Sequence, residues 1–320
     1  ILAISTAGQQ PAAEVWDARL GTCLLHVPSP VRDVYACLVR WPPIDEVVLL
    51  SSGRVQSEGE AFIQELHLHR ICGDGRVARL PREPREPLAR LRLRGTRNYF
   101  HCLEPAPPGV SGGRLAALTG SVPRQCDTVA ILSLDGNSSS ALRLEQADAV
   151  DSVHDLGHRT RAFPDRAVLC VRWARQGELL LMNTRPRLMN SKVLPEGETV
   201  LEALSRPAPP LATTIELIVL DALTLSLLST HGGHYAFTTA EAPFILHVDS
   251  WADADLIASG GEDSCVHVWH RRHGRQLQRL EGHSKEVNAV SWCQAHSVLA
   301  SASDDHAVIL WGCGRQERSE

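Results

Sequence analysis

Short apolar runs alternate with turn residues along most of the chain. Between residues 34 and 68 the runs VYACLVRW, EVVLLSS and AFIQELHL are separated by Pro, Asp and Gly. RLAALTGS, TVAILSLDG and ALRLEQ continue the pattern from 114 to 146, and AVLCVRW, GELLLMN and IELIVLDALTLSLLST follow. Runs of this length, rich in β-branched residues and bounded by turn residues, predict β-strands. We therefore expect an all-β fold with almost no helix.

Two blocks near the C-terminus are alike at a fixed spacing. They are LIASGGEDSCVHVWH at 256–270 and VLASASDDHAVILWG at 298–312, and their Ser, Asp and Trp residues are each 42 positions apart. A Gly-His pair precedes each block, at 233–234 and at 282–283. This period is that of a four-stranded β-propeller blade, about 40–45 residues. Counting strands upstream predicts part of one blade, four fuller blades and three strands of a last one.

The residues that recur in the two blocks predict a structural hydrogen-bond network. The two sets are His234, Ser259, Asp263 and Trp269, and His283, Ser301, Asp305 and Trp311. Ser, His and Asp also occur in hydrolase triads, but a nucleophile needs an exposed hydroxyl and an oxyanion site. A set that recurs at blade spacing with Trp as a fourth member favours a buried network in which every polar group is paired.

Length, composition and charge restrict the function classes. The chain has 320 residues, is 43% hydrophobic, and has a net charge of -5, which gives no reason to expect nucleic acid or a membrane as partner. Nine cysteines without a CxxC pair suit a reducing compartment, so we expect a cytoplasmic protein.

We expect one partial propeller over 1–313, a tail over 314–320, and further chain upstream of Ile1. Two long loops, at 73–97 and 185–213, are either functional or mobile.

Catalytic and cofactor motifs are missing from the sequence. Neither GxxxxGK[ST] nor HExxH occurs. Cys265, His267, His270 and His273 have a spacing that suggests zinc, but the last two histidines fall in a predicted turn beyond the strand. We therefore expect no metal, no cofactor and no enzymatic activity.

The two C-terminal blocks resemble the repeats of WD-repeat proteins. The order IELIVLDALTLSLLSTHGGHYAF, FILHVDSWADADLIASGGED and EVNAVSWCQAHSVLASASDDHAVILW is similar to that of F-box/WD-repeat proteins. The resemblance is strong after about residue 150 and looser before it. It implies a seven-bladed ring, of which this chain lacks the first blade and part of the second. It also implies that an N-terminal F-box docks on the adaptor of a cullin-RING ubiquitin ligase, while the propeller binds the protein to be ubiquitinated. A scaffold in an assembly unrelated to ubiquitin is the alternative.

Arginines near predicted turns indicate a partner-binding surface. Arg159, Arg161, Arg185 and Arg187 are expected beside turns of one blade, with Tyr235 and Lys285 nearby. Arginine and tyrosine are frequent anchors of protein interfaces. Exposed loop charge without a binding role is the alternative. LARLRLRG at 88–95 is interpreted as a charged edge strand that resists aggregation, or as a surface for an acidic partner.

A second short motif concerns ligase docking. Trp16, Asp17 and Arg19 resemble the W-D-x-R box of receptors for cullin-four ligases. Trp269 and Arg272 fit the same box with histidine in place of the aspartate. The resemblance implies that these arginines contact an acidic adaptor surface, where arginine can donate a bidentate pair. An ordinary turn arginine is the alternative.

Overall fold

A computed structural model describes the chain in fifteen stretches. They are residues 2–6, 12–17, 19–28, 35–41, 46–56, 62–70, 89–94, 99–107, 110, 114–120, 127–133, 159–186, 211–237, 246–251 and 255–312. Within these stretches the regular structure is β-strand, apart from a 3₁₀ turn at Arg175–Gly177. The predicted all-β fold is confirmed. The described part of the chain contains no helix long and apolar enough to cross a membrane.

The chain forms two compact units, Ile1–Ala162 and Phe163–Glu320. The first unit contains three antiparallel sheets, whose strands follow one another in chain order within each sheet. Its strands are β1 (Leu2–Thr6), β2 (Ala12–Asp17) and β3 (Thr22–Pro28); β4 (Tyr35–Trp41), β5 (Glu46–Gln56), β6 (Phe62–Arg70) and β7 (Ala89–Arg94); and β8 (Tyr99–Pro105), β9 (Arg114–Gly120), β10 (Thr128–Ser133) and β11 (Arg159–Ala162).

The second unit also contains three antiparallel sheets in chain order. Its strands are β12 (Arg166–Ala174), β13 (Leu179–Pro186), β14 (Leu211–Asp221) and β15 (Leu227–Phe237); β16 (Val248–Ser250), β17 (Leu256–Gly260), β18 (Cys265–His270) and β19 (Arg275–Glu281); and β20 (Val287–Cys293), β21 (Val298–Ser303) and β22 (Val308–Gly312). Short antiparallel strands joined in sequence are what the alternation of apolar runs and turns predicts.

The strand counts agree with the blade count from the sequence. The described sheets have three, four, four, four, four and three strands in chain order. Three strands enter the two predicted loops. β7 lies inside the loop at 73–97, where LARLRLRG was interpreted as an edge strand, and β13 ends at Pro186 and β14 begins at Leu211 inside the loop at 185–213. Among the described strands β7 pairs only with β6, so it is an edge strand. The predicted strand ALRLEQ lies outside the described residues, and the seven-bladed ring stays a prediction.

Apolar side chains hold neighbouring sheets of the second unit together. One cluster joins the β12–β15 sheet to the β16–β19 sheet and includes Leu181, Val219, Ile257 and the fully buried Trp269. A second cluster joins the β16–β19 sheet to the β20–β22 sheet through Ala258, Val266, Val287, Val290 and Leu299. Burial of such side chains contributes about 25 cal/mol per Å² of apolar surface, so the sheets are stabilised mainly by packing face against face.

One contact between sheets requires glycine. A Cβ atom added to Gly260 on β17 would lie 2.0 Å from the carbonyl oxygen of Val287 on β20. Backbone atoms cannot give way as a flexible side chain can, so any larger residue would push the two strands apart. The close approach of β17 and β20 therefore depends on Gly260.

Candidate functional site

The second set of predicted network residues forms a continuous hydrogen-bonded chain. Trp311 Nε1 donates to Ser301 Oγ at 2.8 Å, and Ser301 Oγ lies 2.8 Å from His283 Nε2. His283 Nδ1 lies 2.9 Å from Asp305 Oδ2. With Ser301 donating to His283 Nε2 and His283 Nδ1 donating to Asp305, each polar hydrogen of the four side chains has an acceptor. His283 is 8% exposed and Ser301 1% exposed, so the network is internal.

Asp305 anchors this network at the turn between β21 and β22. Its carboxylate also accepts the backbone N–H groups of Ser284 and Ala307, each at 2.9 Å. These bonds hold the pKa of Asp305 well below its usual range, and the bond from Ser284 has the largest effect. A Cβ on the neighbouring Gly282 would lie 2.9 Å from the Trp311 ring, so the small residue lets the indole pack against the loop. The Ser301 hydroxyl is occupied on both sides, which is unlike an exposed nucleophile.

The first set is connected differently, and the structure does not bring its four residues into one chain. Asp263 pairs with His267, whose Nε2 lies 3.2 Å from both carboxylate oxygens, and not with His234. Gln276 Nε2 lies 3.0 Å from His267 Nδ1, so His267 is held on both sides. Trp269 Nε1 donates to the carbonyl of Gly232 at 3.0 Å and not to Ser259. The physical reason is that His267 on β18 bonds to the carboxylate and takes the place expected for His234.

Asn183 connects His234 and Ser259 instead. Asn183 lies on β13, in the preceding sheet, and is fully buried. Its Nδ2 donates to Ser259 Oγ at 2.7 Å and to the carbonyl of Leu246 at 2.9 Å, while its Oδ1 lies 3.2 Å from His234 Nε2. Burial lowers the pKa of His234 to about 3, so the imidazole is neutral. Sequence reasoning missed Asn183, although LLLMN aligns with LIAS and VLAS and places it at the blade serine position.

The residues of the predicted partner-binding surface do not all lie on one blade. Arg159 and Arg161 lie within β11, the edge strand that pairs with β10 in the last sheet of the first unit. This corrects the expected position beside turns of the blade that contains Arg185, because RTRA forms strand pairs with β10 residues 128–131 and not a loop. Arg187 lies outside the described residues.

The remaining residues of that surface lie in the second unit. Arg185 is the next-to-last residue of β13 and is buried. The carbonyl of Tyr235, on β15, accepts the backbone N–H of Glu262 at 2.9 Å. Lys285 is exposed in the turn before β20, and its carbonyl accepts the Ser303 hydroxyl at 3.1 Å. The structure therefore makes only Lys285 fully exposed among these three.

The first W-D-x-R box forms a turn that exposes its arginine. Asp17 Oδ1 accepts the backbone N–H groups of Arg19 at 2.8 Å and Leu20 at 3.1 Å. These two bonds lower the pKa of Asp17, and the bond from Leu20 has the larger effect. Gly21 completes the turn in a left-handed conformation with φ of 62°. The aspartate of the box thus shapes the turn, and the Arg19 side chain is left exposed.

An equivalent turn follows β14. Asp221 Oδ1 accepts the backbone N–H groups of Leu223 at 3.0 Å and Thr224 at 2.7 Å, and Leu225 has φ of 57°. Leu223, at the position of Arg19, is 61% exposed. The shared turn therefore comes from the aspartate and the left-handed residue, while the exposed residue between them differs from sheet to sheet.

The second box holds its arginine in an ion pair. Asp255 Oδ1 lies 2.5 Å from Arg271 Nη2, and its Oδ2 lies 2.6 Å from Arg272 Nε. The two arginines hold the pKa of Asp255 low although partial burial acts in the opposite direction. A pocket of about 140 Å³ opens beside them, and Arg175, Ser250 and Trp251 also line it. Arg272 remains 60% exposed and is accessible to a partner.

The residues with zinc-like spacing have other contacts. Cys265 Sγ lies 3.3 Å from the carbonyl of Asp263, and burial raises the pKa of the Cys265 thiol to about 11. The His270 and His273 rings pack with centroids 4.3 Å apart. Among the described residues, no group of three or more His, Cys, Asp and Glu side chains is arranged to hold a metal ion.

Comparison with known families defines the class. Residues 225–270 and 274–312 each match the WD domain, G-beta repeat. They span the repeats recognised by the 42-residue spacing and include the His283 network. These two stretches are therefore similar to WD repeats, and the all-β sheets are consistent with a partial WD40-type β-propeller.

Curated relatives match this chain over different lengths. The human F-box/WD repeat-containing protein 5 is 29% identical over 200 residues, which cover 62% of this chain and 31% of that protein. The WD repeat-containing protein WDS homolog of Arabidopsis thaliana is 45% identical over 67 residues, 21% of this chain and 13% of that protein. The WD repeat-containing protein 26 homolog of Drosophila melanogaster is 51% identical over 58 residues, 18% of this chain and 9% of that protein. The chain thus spans at most about a third of the length of these relatives.

Proposed function

We propose that this protein is the substrate-recognition subunit of a cullin-RING (SCF-type) E3 ubiquitin ligase, and that its propeller portion binds target proteins. The carrying observation is the extent of one similarity. The match to F-box/WD repeat-containing protein 5 covers 200 residues, whereas the WDS and WD26 homologs match 67 and 58 residues. Similarity confined to two WD repeats reflects the shared repeat, but similarity that continues far beyond them supports a shared role.

In this proposal the protein contributes binding and no catalysis. The Ser, His and Asp groups that could suggest a hydrolase are internal hydrogen-bond partners. Nine cysteines without a CxxC pair are in keeping with a cytoplasmic location. Protein partners are favoured over nucleic acid or a membrane surface because the net charge is -5.

Two sites would connect the protein to the ligase. The first is the F-box that the similarity implies outside this chain, which would dock on the cullin-RING adaptor. The second is the pair of W-D-x-R-type boxes, in which Arg19 and Arg272 both have exposed side chains. An exposed guanidinium can donate two parallel hydrogen bonds to a carboxylate of the adaptor.

The test is affinity purification of the complete gene product from cells, followed by mass spectrometry. We expect a cullin and its adaptor to co-purify. A variant with Arg19→Ala and Arg272→Ala is compared with a control, Arg275→Ala, which removes another exposed arginine outside both boxes. Loss of the cullin-four adaptor in the double variant alone would assign the boxes to docking, and its retention would leave docking to the F-box.

A scaffold in an assembly unrelated to ubiquitin is the second candidate. It is favoured by the high identity of short stretches to other WD-repeat proteins, 45% over 67 residues and 51% over 58 residues for the two homologs above. If other partners co-purify and no ligase component does, the ubiquitin role is wrong and the scaffold role replaces it.

A further inference from the structure

Nearly all the strongly basic residues of the chain are arginines. The sequence contains 32 lysines and arginines, and of these Lys192 and Lys285 are the two lysines. Lysine is ordinarily one of the commonest residues of a soluble protein. Both side chains carry positive charge, but the guanidinium stays protonated, whereas the lysine amine is the group to which ubiquitin is attached. The chain therefore keeps its positive charge while it offers few acceptors for ubiquitin.

The surface of the described residues shows the same bias. Lys285 is the one lysine among them and is exposed, while Lys192 lies outside the described residues. Elsewhere on the described sheets and turns, the exposed cationic side chains are arginines, namely Arg19, Arg175, Arg272, Arg275 and Arg279. An amine that can accept ubiquitin is thus confined to one place on the described surface.

The loop before β20 presents Lys285 on an anchored backbone. The Ser303 hydroxyl donates to the carbonyl of Lys285 at 3.1 Å. The backbone N–H of Asp304 donates to the carbonyl of the next residue, Glu286, at 3.1 Å. Both bonds tie the loop to the turn between β21 and β22. The backbone is therefore held in place, while the Lys285 side chain is exposed to solvent.

The Lys285 loop lies at the opposite end of β19 from the second W-D-x-R-type box. The turn that contains Arg272 precedes β19 (Arg275–Glu281), and the loop that contains Lys285 follows it. The seven strand residues, at about 3.3 Å each, separate the two places by about 20 Å. A partner that docks at Arg272 therefore leaves the Lys285 amine accessible.

We propose that the lysine-poor surface of the described sheets limits ubiquitin transfer from the protein's own ligase, and that Lys285 is the acceptor left within them. The inference rests on the proposed function, since the ligase supplies the activated ubiquitin. A receptor held beside a ubiquitin donor survives more rounds of transfer to its targets when few of its own amines can react. The exposed amine of Lys285 then sets how fast this part of the receptor is itself marked.

The transfer step is the aminolysis of a thioester. Ubiquitin arrives with its C-terminal carbonyl bound to the cysteine sulfur of a ubiquitin-conjugating enzyme. The neutral amine of Lys285 attacks the carbonyl carbon, the carbon–sulfur bond breaks, and an isopeptide bond forms. The cysteine leaves as a thiolate and takes up the proton that the amine loses. Arginine cannot replace lysine in this step, because its guanidinium stays protonated.

The acceptor is tested with the complete gene product purified together with its ligase. Ubiquitin-activating and ubiquitin-conjugating enzymes, ubiquitin and ATP are added, and mass spectrometry measures the fraction of each lysine that carries ubiquitin. We expect Lys285 to be modified, and Lys285→Arg to lose this modification. Adding Ser284→Lys to Lys285→Arg returns an amine to the same exposed loop and should restore modification there. An unmodified Lys285 in an active ligase would overturn the assignment.

The protective effect is tested by adding amines. Arg175→Lys with Arg275→Lys places two lysines at exposed positions outside both boxes. The control, Arg175→Gln with Arg275→Gln, removes the same charges and adds no amine. We expect about threefold more ubiquitin on this part of the lysine variant, because three exposed amines replace one, and no increase on the glutamine variant. Equal amounts on the two variants would mean that arginine gives no protection, and the proposal would be wrong.

Discharge of the ubiquitin-conjugating enzyme separates this failure from that of the proposed function. If the purified assembly speeds the loss of ubiquitin from that enzyme, a ligase is present, and the pattern of modified lysines decides on the inference alone. If no cullin-RING component co-purifies and discharge is not accelerated, the receptor role is wrong and the inference falls with it.

Discussion

The side-chain amide of Asn183 donates a hydrogen bond of 2.7 Å to the hydroxyl of Ser259, and so joins two neighbouring sheets through buried polar groups. The same amide donates to Leu246 and lies against His234. Asn183 thus joins His234 and Ser259, two members of one predicted network. The partners of the amide are all buried, so none of them can form a hydrogen bond with water if the Asn183 amide is removed.

Asn183→Leu should therefore be strongly destabilising. The change keeps the volume but leaves the carbonyl of Leu246 and the ring of His234 without partners, at a cost of about 1–3 kcal/mol for each. We expect a loss of about 2–5 kcal/mol in urea unfolding. Gln278→Leu, on the exposed strand β19, serves as control and should stay within about 0.5 kcal/mol. A loss below about 1 kcal/mol for Asn183→Leu would contradict the structural role of the amide.

The network around His283 gives a second prediction. Ser301→Ala removes the acceptor for Trp311 Nε1 and the partner of His283 Nε2, so we expect a loss of about 2–4 kcal/mol. Ser291→Ala on β20 removes an exposed hydroxyl and should change little. Combining Ser301→Ala with Trp311→Phe should cost less than the sum of the two single changes, by about 0.5–3 kcal/mol, because both disrupt one chain. Additive losses would show that the residues act separately.

The fold was predictable because its signals are local. Strand runs and turns are specified by residues within a single blade, and the 42-residue spacing recurs from one blade to the next. The observed sheets follow both signals. The hydrogen-bond partner of Asp263 was not predictable from the same spacing. Asp263 and Asp305 occupy equal positions, yet one pairs with His267 on its own sheet and the other with His283. The difference lies at position 267, because His267 on β18 bonds to Asp263 whereas the second repeat has Ile309 at the equivalent place. Asn183 of the preceding sheet then joins His234 to Ser259, and contacts between sheets leave no periodic signal in one sequence.

The partner-facing residues show the same limit. The sequence suggested that RTRA at 159–162 lies beside a turn, but its alternation fits a strand equally well, and pairing with β10 decides between them. Burial of Arg185 was also outside the reach of sequence reasoning, since arginine is usually exposed. The W-D-x-R box at Trp16 was easier, because the aspartate forms its turn through adjacent backbone groups.

A third prediction concerns the contact between β17 and β20. In Gly260→Ala the new methyl group would meet the carbonyl oxygen of Val287 at 2.0 Å, so the strands must separate. We expect a loss of about 2–4 kcal/mol in urea unfolding. Gly312→Ala is the matched control, since a Cβ there meets nothing within 4 Å. Equal stability of the two variants would mean that β17 and β20 can separate without cost.

The neutral state of buried His234 predicts a dependence of stability on pH. Its folded pKa of about 3 lies below the unfolded value of about 6.5. The unfolded state therefore binds the proton first, and stability is lost as pH falls from about 6.5 towards 3. Between pH 7.5 and 5 this residue should account for a loss of about 2 kcal/mol. Carboxylates with lowered pKa, such as Asp263 and Asp305, add their losses only below about pH 4.

Urea unfolding at several pH values between 5 and 7.5 measures this loss. His234→Gln should flatten the dependence, although His231, whose pKa burial also lowers, will leave part of it. His296→Gln removes an exposed histidine and should keep the original slope. An unchanged slope in His234→Gln would show that the buried ring does not control the response.

The last prediction uses a left-handed turn residue. His306 has φ of 66° and is exposed, and Ser264, 42 residues earlier, has φ of 65°. An L-residue in this region costs about 1 kcal/mol, which glycine avoids while losing more chain entropy on folding. We expect His306→Gly to be neutral or to stabilise by up to about 1 kcal/mol, and His306→Val, β-branched and poorly suited to this conformation, to destabilise by about 1–2 kcal/mol. Urea unfolding of both variants checks this, and valine equal to or better than glycine would show that the turn is not held in the left-handed conformation.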